Sequence, residues 1–285
     1  MHHRRDIADH AEIRAQICGD GAGAGHGELE ARALGANVRA ALRLCAFALV
    51  TLTLLVPYLL VLPIGRRAKR PVEVLWFRLV LALIGLKVRV SGQAAREGQV
   101  LYAANHVSYL DIMVLGALID ARFIAKADVK GWPVIGVLAR LGGTVFVRRI
   151  STDAARQNRD LASVLTSGQS LILFAEGTSG DGSKVLPFKS SLFGVAERLP
   201  EGMMLSVQPV ALSYRRLDGQ PVLTQGQRDA LAWYGEMTLL PHLWRFLGRR
   251  SALVTVTFLR PVPASAGRKA LAASSQAAVQ TAISP

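Results

Sequence analysis

Between Arg43 and Arg66 the chain runs for 22 residues without a charge, LCAFALVTLTLLVPYLLVLPIG. Wound as a helix at about 1.5 Å per residue it reaches roughly 33 Å, enough to cross the hydrocarbon core of a bilayer. Pro57 and Pro63 lie inside the run. An internal proline removes a backbone donor and kinks a helix, so a membrane span competes with a re-entrant or interfacial hairpin. The flank that follows, GRRAKR, carries four cations in six residues, more than the Arg39 and Arg43 side. That asymmetry places the expected location at the inner (cytoplasmic) membrane, with the following domain facing the cytoplasm. A cleaved signal peptide does not fit, because the run starts too late and is too long.

The stretch from Val72 to Leu86 is apolar but interrupted by Glu73 and Arg78, and reads as a second helix on or near the interface. Beyond it, short apolar or alternating runs (LKVRV, QVLYAAN, ARFIAKA, TVFVRR, SLILFAEG, LSVQPVAL, ALVTVTFL) are separated by helix-like stretches such as Asp153 to Thr166. Strands alternating with helices make this an α/β domain, expected as a mixed sheet flanked by helices behind an N-terminal membrane-inserting helical hairpin. The expected units are a disordered tail over 1–37, the membrane-spanning or interfacial hairpin over 38–85, the folded domain over 86–262 and a C-terminal tail over 263–285. The Ala- and Ser-rich C-terminal tail reads as a weak surface helix or a frayed end.

Composition narrows the partners. The 34 Lys+Arg against 20 Asp+Glu give a net charge of +14, which attracts anionic lipid, nucleic acid or an acidic carrier protein. No basic and aromatic alternation lies on any strand and no recognition-helix motif occurs, so a nucleic-acid partner is not expected. Cys18 and Cys45 give neither a disulfide framework nor a zinc site, and no metal is expected. The glycine cluster Gly19 to Gly27 misses the spacing of a dinucleotide fingerprint, and Gly182 is followed by Ser183 before Lys184, which breaks the P-loop pattern.

Two constellations remain for chemistry. In NHVSYLDI, His106 follows a strand end and Asp111 falls near the first turn of the next helix, so the carboxylate can turn back to one ring nitrogen. Such a pair fixes the tautomer and leaves the other nitrogen free to take a proton. A His capping a loop beside an Asp N-cap is the bland alternative. In FAEGTSGDGSKVLPFKSSLF a buried-looking strand leaves through a glycine-rich turn in which Gly177, Gly180 and Gly182 admit a ligand close to the backbone, with Glu176 and Lys189 as polar groups.

Taken together, NHxxxxD followed about seventy residues later by F-x-E-G-T resembles the glycerolipid acyltransferases of the 1-acylglycerol-3-phosphate acyltransferase type. The resemblance runs from roughly Leu86 to Leu212. It implies a catalytic His106-Asp111 pair, headgroup binding by Arg148 with Arg149 beside it, and acceptor binding by Glu176, Gly177 and Thr178. Lys126 in FIAKADVKG is a candidate to stabilise the oxyanion. The implied reaction transfers a fatty acyl group from an acyl thioester, of acyl carrier protein or coenzyme A, to a lysolipid hydroxyl at a membrane, with no cofactor. Two positions depart from the family pattern: Ala175 stands for its proline and Ser179 for the arginine after EGT, a natural phosphate ligand. With WYGEMTLLPHLW, the variant looks more like the branch that acylates lyso-ornithine lipid, whose product carries no phosphate. A 1-acyl-sn-glycerol-3-phosphate acyltransferase is the alternative, and a non-catalytic lipid-binding protein the distant one.

Overall fold

The computed structural model describes residues 5–147, 154–200 and 203–284, with the side chains of 5–29 and 154–158 outside the description. Its frame is a nine-stranded mixed sheet. The strands are β1 (Leu86–Ser91), β2 (Gln99–Ala104), β3 (Ala121–Lys126), β4 (Val145–Val147), β5 (Ser170–Phe174), β6 (Leu205–Leu217), β7 (Gln220–Pro221), β8 (Ala252–Phe258) and β9 (Val262–Pro263). Seven run in the order β1-β8-β6-β2-β5-β3-β4, and β7 and β9 pair with β6. β2, β5, β3 and β4 are mutually parallel, so their carboxyl ends open on one rim, the usual place for a ligand in an open α/β sheet. β6 is parallel to β2 and antiparallel to β8.

The helices are α1 (Arg5–Val61), α2 (Arg66–Leu83), α3 (Leu110–Leu118), α4 (Ile135–Leu141), α5 (Ala154–Thr166), α6 (Gln225–Asp229), α7 (Leu239–Leu247) and α8 (Arg268–Ile283). They cover both sheet faces, which is why QVLYAA and SLILF are almost wholly apolar. Successive residues of β2 enter opposite cores. Val100, Tyr102 and Ala104 pack with α2, α3 and α7, whereas Leu101 and Ala103 pack with α5 and α8.

α1 passes without a break through residue 37, where composition places the end of a tail, and through Pro57. A 3-10 turn at Leu62–Ile64, which contains Pro63, then leads to Gly65 at φ +113°, a backbone state that glycine takes at little cost. That turn lets α2 start at Arg66, six residues before the start expected at Val72. The GRRAKR cations have partners there. Arg66 pairs with Asp120, Lys69 donates to the Leu141 carbonyl, and Arg70 donates to the carbonyls of Gly116 and Ile119. Three of the four charges taken for a topological signal therefore also hold the helix to the domain, while Arg67 is exposed.

α1 lies along the domain instead of projecting from it. Asn37 accepts from Trp244, Thr51 accepts from Trp76, and Tyr58 donates to the Leu141 carbonyl. Arg39 donates to the Gly248 carbonyl, and Arg43 to those of Leu247, Arg249 and Arg250. With buried Ala40, these positions form one stripe. On the other side Leu42, Leu49, Leu52, Val56 and Leu60 are exposed.

The C-terminal segment is a helix, as one of the two expectations had it, but a docked one, neither a weak surface helix nor a frayed end. α8 docks on the sheet through Leu271, Ser275, Val279 and Ile283, all buried and four residues apart. Small Ala and Ser side chains between them blur the helical period, so composition alone hides the contact face. Gln276 and Gln280 of α8 accept the backbone N–H groups of Phe188 and Val185.

Candidate active site

β2 ends at Ala104, opposite Phe174 on β5 and Val210 on β6. The next residue, Asn105, is buried and continues the ladder with its side chain, donating to the Leu212 carbonyl at 3.0 Å and accepting the Leu212 N–H at 2.7 Å. This amide pins the chain at the point where it must leave the sheet. Its partner lies over a hundred residues away, so sequence spacing gives no sign of the role.

His106 follows at the rim. Its Nδ1–H donates to Asp111 Oδ2 at 2.9 Å, and the same oxygen accepts the N–H groups of Val107 at 2.7 Å and Ser108 at 2.9 Å. Asp111 Oδ1 accepts the Tyr214 hydroxyl at 2.7 Å. The Asp111 side chain is 0% exposed, so these four donors stand where water otherwise would. The imidazole lies flat on Phe174, with ring centroids 3.9 Å apart and an 18° angle between planes. Its Nε2 has no hydrogen-bond partner among the described residues. One nitrogen is thus held and one is open.

The glycine-rich turn wraps this loop. Gly180 N–H donates to the His106 carbonyl at 2.9 Å. Gly182, at φ +78°, lies so close that a Cβ there would stand 3.2 Å from Val107. Glu176 is 2% exposed and accepts the backbone N–H groups of Leu186 and His106. Burial pushes its carboxyl up to about 8, the Asp111 charge adds to the rise, and the two amides oppose it. Its Oε2 has no hydrogen-bond partner among the described residues. Glu176 lies beneath the loop beside the His106 backbone. Thr178 and Lys189 are exposed, and the Lys189 N–H returns to the Ala175 carbonyl at the base of the motif.

Lys126 is exposed at the end of β3, opposite Val147 at the end of β4. Arg148 and Arg149 follow Val147 and lie outside the described residues. Beyond β6, the Trp233 N–H donates to the Val107 carbonyl, and its ring meets Trp132 and Tyr109 edge-on at 6.0 and 6.2 Å. The Tyr109 hydroxyl donates to His242 Nδ1, whose Nε2–H points to the Asp229 carbonyl; burial pushes the His242 imidazole below its ordinary value. Asp181 faces Arg228 of α6 at 3.9 Å and accepts from Ser183.

A family profile described as acyltransferase matches residues 87–213. A lyso-ornithine lipid O-acyltransferase of Rhizobium meliloti is 39% identical over 226 residues, covering 78% of this chain and 77% of that one. The chain belongs to the acyltransferase family. This acyltransferase is 41% identical to a lyso-ornithine lipid O-acyltransferase of Pseudomonas aeruginosa, with 73% of this chain and 76% of the other covered. It is 35% identical to a 1-acyl-sn-glycerol-3-phosphate acyltransferase of Neisseria gonorrhoeae, over 62% of this chain and 65% of that one. The crystal structure of a 1-acyl-sn-glycerophosphate acyltransferase from Thermotoga maritima shares the fold, with a TM-score of 0.62 at 17% identity, over 87% of this chain and 95% of that chain. As an enzyme that transfers acyl groups, this acyltransferase carries on one rim both motifs that pointed to the family. The mixed sheet flanked by helices agrees with the sequence expectation.

Proposed function

We propose that this acyltransferase esterifies the free hydroxyl of a lysolipid, with lyso-ornithine lipid as the acceptor, using His106 as general base and Asp111 as its partner. The observation that carries the reading is the imidazole held by its Nδ1 with Nε2 open at the rim. Nε2 takes the hydroxyl proton as that oxygen attacks the thioester carbonyl, and Asp111 stabilises the imidazolium. The tetrahedral oxyanion then collapses, the C–S bond breaks, and the imidazolium returns its proton to the departing thiolate. Products are the ester and the free thiol of carrier protein or coenzyme A. Lys126 at the rim serves as the oxyanion's cation, the resemblance alone gives Arg148 a headgroup role, and exposed Thr178 and Lys189 serve the acceptor. Glu176 and Gly177 shape the loop beneath it.

The acceptor choice rests on the two lyso-ornithine relatives and on Ser179, which leaves the loop without the guanidinium suited to a phosphate. Anchoring is by α1 and α2 lying in one leaflet, since a helix docked on its domain from Asn37 to Tyr58 has one free face for lipid. The domain then faces the cytoplasm, where soluble thioesters are supplied.

Membranes carrying the protein, given labelled acyl carrier protein thioester with lyso-ornithine lipid or lysophosphatidic acid, test the reading. Acylation of lyso-ornithine lipid that disappears in His106→Ala is expected, a loss of about a thousandfold or more. Acylation of lysophosphatidic acid instead assigns the phosphate acceptor, and full transfer by His106→Ala removes the general-base role.

A further inference from the structure

The two oxygens of Asp111 are served differently. Oδ2 receives His106 Nδ1–H and two backbone amides, whereas the only donor to Oδ1 among the described residues is the Tyr214 hydroxyl, at 2.7 Å. Resting on the dyad read above, we propose that Tyr214 is a positioning residue for acyl transfer, whose hydroxyl locks the Asp111 carboxylate and sets how much negative charge faces the His106 imidazolium.

The fold explains why a tyrosine from β6 reaches a carboxylate on α3. Val210 of β6 stands opposite the last residue of β2, so the seven residues from Ala211 to Leu217 extend past it. Asn105 fastens Leu212 to the rim. Alternation along a strand puts Val210, Leu212 and Tyr214 on one face, the face on which Val210 and Leu212 join the core with Leu110 and Val114 of α3. Tyr214 therefore meets the first turn of α3 from outside the β2 ladder.

The three donors on Oδ2 already fix the rotation of the carboxylate, but without the Tyr214 hydroxyl the buried Oδ1 is left with no donor among the described residues. The Tyr214 bond satisfies that oxygen before the reaction begins, so both ends of the carboxylate are set as charge develops on the imidazole. It also draws charge toward Oδ1 and away from Oδ2. Tyr214 ionises well above the ordinary tyrosine range, through burial first and then the Asp111 charge, so it stays a donor throughout an assay.

The neighbours that bear on the pair come from every packed element. The loop after β5 supplies Glu176, neutral below about pH 8, and Asp181; the residue that precedes α3 is Tyr109, bonded to His242 of α7. Arg215 of β6, Arg228 of α6 and Asp181 line a cavity of about 240 Å³ that Tyr214 also borders. None of these changes when only the phenol is altered, so a difference between variants reports Tyr214 itself.

The experiment records kcat and KM against pH for wild type, Tyr214→Phe and protein with 3-fluorotyrosine at position 214. With phenylalanine, kcat falls about tenfold with KM for the lysolipid within about twofold, and the acid limb moves up by roughly half a pH unit. Fluorination, which replaces one ring hydrogen and keeps every heavy atom of the phenol, strengthens the donor and moves the limb down. Superimposable profiles, a fall in kcat with no movement of the limb, or both substitutions moving it the same way, overturn the role. His106→Ala, run beside them, separates the two ideas. Its inactivity with a silent Tyr214 rejects the tyrosine alone, whereas its full activity rejects the dyad and this role together.

Discussion

Around His106, the buried carboxyl of Glu176 is the group whose titration the fold changes most plainly. Its carboxyl is pushed up to about 8 in the fold, against an ordinary value of 4.5, chiefly by burial. A folded-state value above the unfolded one means that the folded protein holds this proton more tightly. The resulting stabilisation is full below about pH 4.5 and is lost as pH rises through about 8. Glu176→Gln keeps the shape and removes the titration. We expect its thermal midpoint to match wild type within a degree or two at pH 5 and to exceed it by a few degrees at pH 8.5, as differential scanning calorimetry would read. The His106 and Asp111 pairing was legible in the sequence because the two sit five residues apart across a strand-to-helix turn. Asn105 and Tyr214 were not, since their partners are brought by β6 from more than a hundred residues away and Tyr214 falls just past the matched region.

Two elements changed meaning between sequence and structure. The uncharged run is apolar and long as the sequence shows, yet the docking stripe of α1, which begins before that run, is invisible there, because Asn37, Ala40, Arg43, Thr51 and Tyr58 share no single chemistry. Leu52 and Val56 lie on the exposed side. Their conversion to lysine weakens partition into anionic vesicles by about tenfold or more per site, from the ~1.5–3 kcal/mol that burial of such a side chain supplies, while leaving the thermal midpoint unchanged; vesicle flotation at matched protein concentration measures it. α8 was underestimated for the opposite reason, its alanines concealing a stripe of larger residues. Leu271 is 0% exposed, and Leu271→Ala should destabilise by roughly 2–5 kcal/mol in urea unfolding monitored by circular dichroism. Because Gln276 and Gln280 also hold the segment after the EGT turn, the same substitution is expected to lower acyl transfer.

At the scale of the whole molecule, a single sheet collects the chemistry on one rim and gives each face its own core. The α/β alternation was readable from period alone. The strand order was not, because β1-β8-β6-β2-β5-β3-β4 depends on pairings that no local run records. The two arginines of α1 carry a further consequence. Arg39 and Arg43 close the carbonyls of Gly248 and Leu247 at the end of α7, and Arg43 also reaches those of Arg249 and Arg250 in the loop that follows. α1 is thus also the cap of a helix two hundred residues later. It is therefore not an interchangeable module, because a replacement that lacks a guanidinium at either position takes a donor from those carbonyls.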